Sequence, residues 1–244
     1  MKFNPDKTVI YCDIDGVLTD CILAYRLAIW DRYRVIVHDS DITQFDAQIS
    51  LFDKIKKRSA YPPRDMEEFE TFMTRSCFWN PSFYRNMVPL FPMWEAIRGF
   101  IIRVLKNELM KQPRLYQMAV MFITTRHVSM YDETWNWLFR YGLVFGGEAK
   151  WSNLSLNSHK YLEIEDARKI IPSDYTILFI DDKVKNVADV ARCNLPNVHC
   201  RVPARPWNDP ELSEQNRNDW KVIDIHDTTV RRMNDEDIIE ELDI

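Results

Sequence analysis

The apolar positions of this chain change period several times. A run of β-branched and aromatic residues at 8–13, TVIYCD, stops at Asp-Gly, the pattern of a buried strand ending in a turn. From about Thr19 to Tyr33 the period becomes helical, with Ile22, Leu23, Leu27 and Trp30 on one repeat. Residues 34 to about 113 carry no strong strand. They hold two charged helical patches, 51–58 and 65–74, around the turn signal Tyr61-Pro62-Pro63, then an aromatic-rich stretch from Cys77 to Trp94 and a helix over about 93–110. Strand character returns at 118–124 (MAVMFIT). A helix over about 132–141, a short strand at 142–147 (GLVFGG) and a helix over 161–170, ended by Pro172, follow. The clearest strand is 175–182 (YTILFIDD); after it come a helix over 184–193 and a strand at 198–202. The acidic end from about Asp235 reads as a frayed helix or a disordered tail.

Strands that alternate with helices predict an α/β protein with a doubly wound, mostly parallel sheet, and a helical cap inserted after the first strand. The expected division is a core of 1–24 and 114–224, a cap of 25–113 and an acidic tail of 225–244.

Composition narrows the chemistry. Only 5 of 244 residues are glycine, at 16, 99, 142, 146 and 147, so neither GxGxxG nor GxxxxGK[ST] can be written. Loops must be shaped by Pro, Asn and Asp, and phosphate must be held by other donors. A net charge of -5 argues against a nucleic-acid partner. Five scattered cysteines without a CxxC read as free thiols of a reducing compartment. The start lacks a signal-like apolar core, and the longest uncharged stretch, Leu115 to Thr125, is eleven residues. A membrane span needs about twenty. The expectation is a cytoplasmic protein with no membrane partner.

Ligands of a doubly wound sheet bind at the carboxyl ends of its strands. There stand Asp13-Ile14-Asp15-Gly16, Thr124-Thr125-Arg126 and Asp181-Asp182, with Lys160 at the start of the helix before the last of these strands. Three acids can hold a hard cation such as Mg²⁺ through oxygen. A hydroxyl and a lysine can hold a phosphate, and a carboxylate can act as nucleophile. Singly each is unremarkable: Asp-x-Asp recurs at 39–41 and 235–237, paired acids often cap helices, and most lysines are solvated. The ordered set is what points to chemistry. Gly16 follows Asp15 where backbone must approach a phosphate closely.

The segment 13–20, Asp-Ile-Asp-Gly-Val-Leu-Thr-Asp, resembles the first motif of the haloacid dehalogenase superfamily, and Thr124, Lys160 and Asp181-Asp182 resemble its second, third and fourth motifs. The resemblance implies that Asp13 is the nucleophile that becomes an aspartyl phosphate and Asp15 the general acid and base. It places Mg²⁺ between Asp13, the Asp15 carbonyl oxygen and Asp181, supported by Asp182. Thr124 and Lys160, with Thr125 and Gly16, would hold phosphate oxygens. Phe83 to Leu90 with Glu95-Ala96-Ile97, and Arg205 to Asn208 with Asp219 to Ile223, are similar to segments of 5'(3')-deoxyribonucleotidases. That implies a small phosphomonoester substrate, a (deoxy)nucleoside monophosphate, with Phe78, Trp79, Phe83, Tyr84 and Arg126 as substrate contacts and a homodimer as a compatible assembly. A base offers a π-face that such aromatic side chains can meet. Three other readings stay open: a 3'-phosphatase of polynucleotide ends, since Thr124-Thr125-Arg126 is also similar to phage polynucleotide kinase–phosphatases; a phosphatase of another small metabolite; and a degenerate nucleotide-binding module.

Overall fold

The computed structural model describes residues 2–43, 47–106, 119–144, 153–223 and 229–242. Six strands form one sheet: β1 (Thr8–Cys12), β2 (Val120–Thr124), β3 (Leu154–Leu156), β4 (Thr176–Ile180), β5 (Val198–Pro203) and β6 (Val230–Met233). Their spatial order is β3-β2-β1-β4-β5-β6, and every neighbouring pair is parallel. β1 and β4 lie at the centre and are apolar along their length, as strands covered on both faces must be. Cys12 pairs with Ile180, so the two strands end level and deliver Asp13 and Asp181 side by side. The strand order reverses between them, and that reversal opens the crevice in which doubly wound sheets bind ligands.

Helices α1 (Cys21–Tyr33), α2 (Ala47–Arg58), α3 (Met66–Met73), α4 (Pro81–Arg85) and α5 (Phe91–Lys106) stand between β1 and β2. After β2 come α6 (Tyr131–Arg140), α7 (Lys160–Ile170), α8 (Val184–Arg192), α9 (Glu214–Lys221) and α10 (Asp235–Glu241). Side chains alternate across the strands. Val9, Tyr11, Ile177 and Phe179 pack with Ile164 of α7 and Val187 of α8. Ile10, Cys12, Leu178 and Ile180 pack with Phe100 of α5, Trp137 of α6 and Ile238 of α10. The helices α1 to α3 have their own aromatic contacts: the Tyr33 ring lies 5.0 Å from Phe72 and 5.9 Å from Phe69. Asp20 closes the first motif by capping α1, accepting the Leu23 amide at 2.8 Å. The scarcity of glycine shows in the turns, where Arg34, Asn194 and Asn197 take positive φ. Asparagine tolerates that region through local hydrogen bonding.

The structure overturns two expectations of the sequence reading. Residues 142–144 of the expected strand at 142–147 form a turn instead; 145–147 lie outside the described residues. Gly142 has φ +69° just past the end of α6, and the Leu143 amide bonds back to the Leu138 carbonyl, the usual way a helix stops. Leu143 and Val144 are apolar because they are buried beneath that helix. The edge strand is β3, three residues long with a serine at its centre, too short for a period to show. The second difference is the acidic end, which is neither frayed nor disordered over 230–242. β6 extends the sheet, and Asn234 caps α10 by accepting the Asp237 amide at 2.7 Å. Ile238 and Leu242 are fully buried, and Glu241 pairs at 2.5 Å with Arg201, itself fully buried on β5. The two apolar residues at i and i+4 were masked in the sequence by the acids around them. All five cysteines are free, and no helix among the described residues is long and apolar enough to cross a membrane.

Candidate active site

Asp13 follows β1, and its amide bonds the Ile180 carbonyl at 2.8 Å, which ties the turn to β4. Its Oδ1 accepts the Ile14 amide at 2.7 Å, and its Oδ2 lies 2.8 Å from Lys160 Nζ. The same ammonium lies 2.8 Å from Asp181 Oδ2. Asp181 also accepts the Lys183 amide at 2.8 Å and Asn186 Nδ2 at 3.0 Å. Asp13, Lys160, Asp181 and Asp182 are all buried. One carboxylate oxygen from each of Asp13, Asp181 and Asp182 lies within 4.8 Å of the others. Lys160 opens α7, so the helix start aims it under the strand ends.

Burial shifts Asp13 and Asp182 strongly. It pushes Asp13 well above the usual carboxylate range, against the opposing pull of Lys160. Burial and the neighbouring Asp181 push Asp182 up to about 7. Lys160 is driven the other way: although burial disfavours its charge, Asp13 and Asp181 hold it protonated, above the ordinary lysine value. One lysine cannot balance three buried carboxyls if all are ionised, a deficit that a divalent cation would make up. Asp182 Oδ1 is buried with no hydrogen-bond partner, which is an open ligand position. The residues therefore fit a hard divalent cation.

Asp15 sits differently. Arg126 grips it with two bonds, Nε to Oδ2 at 2.8 Å and Nη2 to Oδ1 at 2.6 Å, and Thr19 Oγ1 donates to Oδ1 at 3.1 Å. Burial raises its carboxyl, but the Arg126 charge and these bonds outweigh burial and hold it below the ordinary range. Arg126 also donates to Thr134 Oγ1 at 3.1 Å, and its guanidinium lies 4.4 Å from the centre of the Tyr84 ring.

Gly16 has φ +75°, and a Cβ built there would lie 2.0 Å from Asp182 Oδ2. Only glycine lets the first turn pass the second acid pair this closely. Above the acids is a cavity of about 440 Å³, lined by Asp13, Asp15, Thr125, Arg126 and Asp182 below and by Ile42, Gln48 and Met73 from the helices, with Tyr25, Phe78, Trp79, Tyr84 and Trp207 supplying aromatic faces. Its size suits a ligand of drug-like dimensions.

The structure brings most of the sequence-predicted residues to this cavity. Asp13, Asp15, Asp181, Asp182, Lys160 and Gly16 converge, and Thr125, Arg126, Phe78, Trp79 and Tyr84 join them. Asp181, Lys160, Gly16 and Thr124 do not themselves line the cavity wall; Thr124 is fully buried at the end of β2, its Oγ1 accepting the Arg126 amide at 3.3 Å. Phe83 stacks on Tyr25 at 5.5 Å and faces a neighbouring groove with Leu23, Leu27 and Val88. Sequence reasoning missed Trp207, whose Nε1 donates to Asp182 Oδ2 at 2.6 Å, and the cavity residues Tyr25 and Gln48. Trp207 lies in a segment already singled out by resemblance; nothing in the local pattern marked Tyr25 or Gln48.

A parallel sheet of this order, with acids at the switch point, defines a Rossmann-like α/β protein with a helical segment over its site. More narrowly, the fold resembles that of solved phosphatase structures. A predicted phosphoglycolate phosphatase from Haemophilus somnus 129PT shares it at a TM-score of 0.52 and 14% identity, over 95% of this chain and 96% of that one. A haloacid dehalogenase-like family hydrolase from Xanthomonas campestris matches with a TM-score of 0.48 and 12% identity, over 96% of this chain and 93% of that one. No family model and no curated protein sequence matches the chain.

Proposed function

We propose that this protein is a Mg²⁺-dependent phosphomonoester hydrolase, acting on (deoxy)nucleoside monophosphates through an aspartyl-phosphate intermediate. The observation that carries the proposal is the meeting of Asp13, Asp181 and Asp182 within 4.8 Å, with Lys160 buried among them, beneath an aromatic-lined cavity. A binding module has no use for a buried carboxylate set of this kind, whose assembly costs several kcal/mol per ion unless compensated.

Asp13 is the nucleophile. Its carboxylate attacks phosphorus, the bond to the leaving alkoxide breaks, and Asp15 supplies the alkoxide's proton. Asp15 then takes a proton from the water that cleaves the acyl phosphate, which returns Asp13 as carboxylate and releases inorganic phosphate. Both Asp15 oxygens are engaged in the arrangement described above and its carboxyl is held ionised, so Arg126 must give up one of its two bonds and Asp15 must first take up a proton from solvent before it can supply one. Lys160 and the backbone around Gly16 hold the non-bridging oxygens, with Thr125 at the cavity wall. Mg²⁺ bound by Asp13, Asp181 and Asp182, with the Asp15 carbonyl, would neutralise the repulsion between a phosphate dianion and a carboxylate nucleophile.

Phosphate release from a panel of nucleoside monophosphates, sugar phosphates and a 3'-phosphorylated oligonucleotide tests the proposal. Release from mononucleotides is expected, with all activity lost in Asp13→Asn. Release from the oligonucleotide alone, or from sugar phosphates alone, would overturn the substrate assignment. Full activity in Asp13→Asn would overturn the mechanism.

A further inference from the structure

The segment after β5 reaches back to both acid-bearing turns. Arg205 Nε donates to the Gly16 carbonyl at 2.9 Å, and Asn208 Nδ2 donates to the Asp182 carbonyl at 3.0 Å. Arg205 is anchored in turn to Asp235 of α10 at 2.9 Å. Between Arg205 and Asn208, Trp207 donates its indole N–H to Asp182 Oδ2 at 2.6 Å. The two oxygens of Asp182 are therefore unequal. Oδ2 takes the indole proton, whereas Oδ1 is buried without a partner. The carboxylate is also wedged: a Cβ on Gly16 would meet Asp182 Oδ2 at 2.0 Å and Trp207 Cζ2 at 3.2 Å, so Gly16, the acid and the indole pack without spare room.

We propose that Trp207 is a positioning residue for a divalent cation: its N–H pins Oδ2 of Asp182 and leaves Oδ1 as the oxygen offered to the ion. Groups that orient a ligating carboxylate commonly set metal affinity by about 10–100-fold. The inference rests on the magnesium part of the reading above. Trp207 also lines the cavity, so its ring could serve only to fill space. Trp207→Phe separates the two roles, because it keeps an aromatic ring and removes the donor.

The test is a calorimetric titration of Mg²⁺ into the wild type, Trp207→Phe, Asp182→Asn and the double variant, alongside phosphate release at rising Mg²⁺. The Mg²⁺ Kd of Trp207→Phe is expected to rise about 10–100-fold. Its phosphate release should recover towards wild type at saturating Mg²⁺, a rescue that a damaged fold would not show. In the Asp182→Asn background, Trp207→Phe should add little, because the group it orients has changed. An unchanged Kd in Trp207→Phe, or an equal loss in both backgrounds, would overturn the positioning role and leave the proposed function standing. A wild type that binds no Mg²⁺ would overturn this inference together with the metal part of that function. A wild type that binds Mg²⁺ but releases no phosphate would overturn the function alone, and the ratio of Kd values would still decide the role of Trp207.

Discussion

At the scale of single residues, buried charge controls this site. Asp182 is lifted to about 7, burial being the largest cause and Asp181 the next. A raised carboxyl binds more protons in the folded state than in the unfolded one, where its pKa is about 4. Its contribution is therefore fully present below about 4 and is lost as pH rises through about 7. Urea unfolding of the metal-free protein should show stability falling over that window, and Asp182→Asn should flatten the fall. Gly16→Ala puts a Cβ 2.0 Å from Asp182 Oδ2 and a side chain at φ +75°. The backbone strain alone is about 1–2 kcal/mol, and the acid must also move. Activity and Mg²⁺ affinity should both drop steeply. Gly99→Ala, inside α5, is the control and should leave both unchanged. The importance of Gly16 was readable from the sequence, since it follows Asp15 in a chain with few glycines. Its neighbour across the turn was not: no sequence period places Asp182 and Trp207 against residue 16.

At the scale of elements, the last helix matters more than its acidity suggests. Arg201 and Glu241 form a pair with both side chains almost wholly buried, and the Phe3 amide bonds the Glu241 carbonyl at 2.8 Å. α10 thereby joins the amino-terminal segment to β5. Glu241→Ala leaves a buried guanidinium unpaired, so equilibrium denaturation should show a loss of about 3–5 kcal/mol. Glu241→Gln keeps a hydrogen-bond acceptor and should cost less. An outcome within error of wild type for Glu241→Ala would mean that the pair is not buried in solution. The long central strands and amphipathic helices were legible because burial on both faces, or on one, writes a period into the sequence. β3 was not, because it is three residues long; α10 read only as a frayed helix or a disordered tail, because acids surround the Ile238 and Leu242 that it buries.

At the scale of the whole molecule, the sheet order gathers like charges into one place. Asp13 and Asp181 are far apart in the chain and adjacent in space because β1 and β4 pair from Thr8–Thr176 to Cys12–Ile180. That arrangement stores repulsion which a cation relieves. Mg²⁺ should raise the Tm of the protein, and a chelator should reverse the rise. At 100 times Kd the gain is about 2.7 kcal/mol. Asp181→Asn should abolish most of the shift, and a Tm indifferent to Mg²⁺ would argue against the metal site.

By itself the sequence determined the alternation of strands and helices, the helical segment after the first strand and the residue types at the strand ends. Those features rest on local periods and on turn chemistry, which neighbouring residues decide between them. Only the tertiary structure decided that Thr125 lines the cavity while Thr124 is fully buried at the end of β2, and that Phe83 faces a separate groove. It also decided that Arg126 grips Asp15, and that Trp207, 25 residues beyond Asp182, holds that carboxylate. These are contacts between distant segments, set by strand register and helix packing, and no local pattern encodes them.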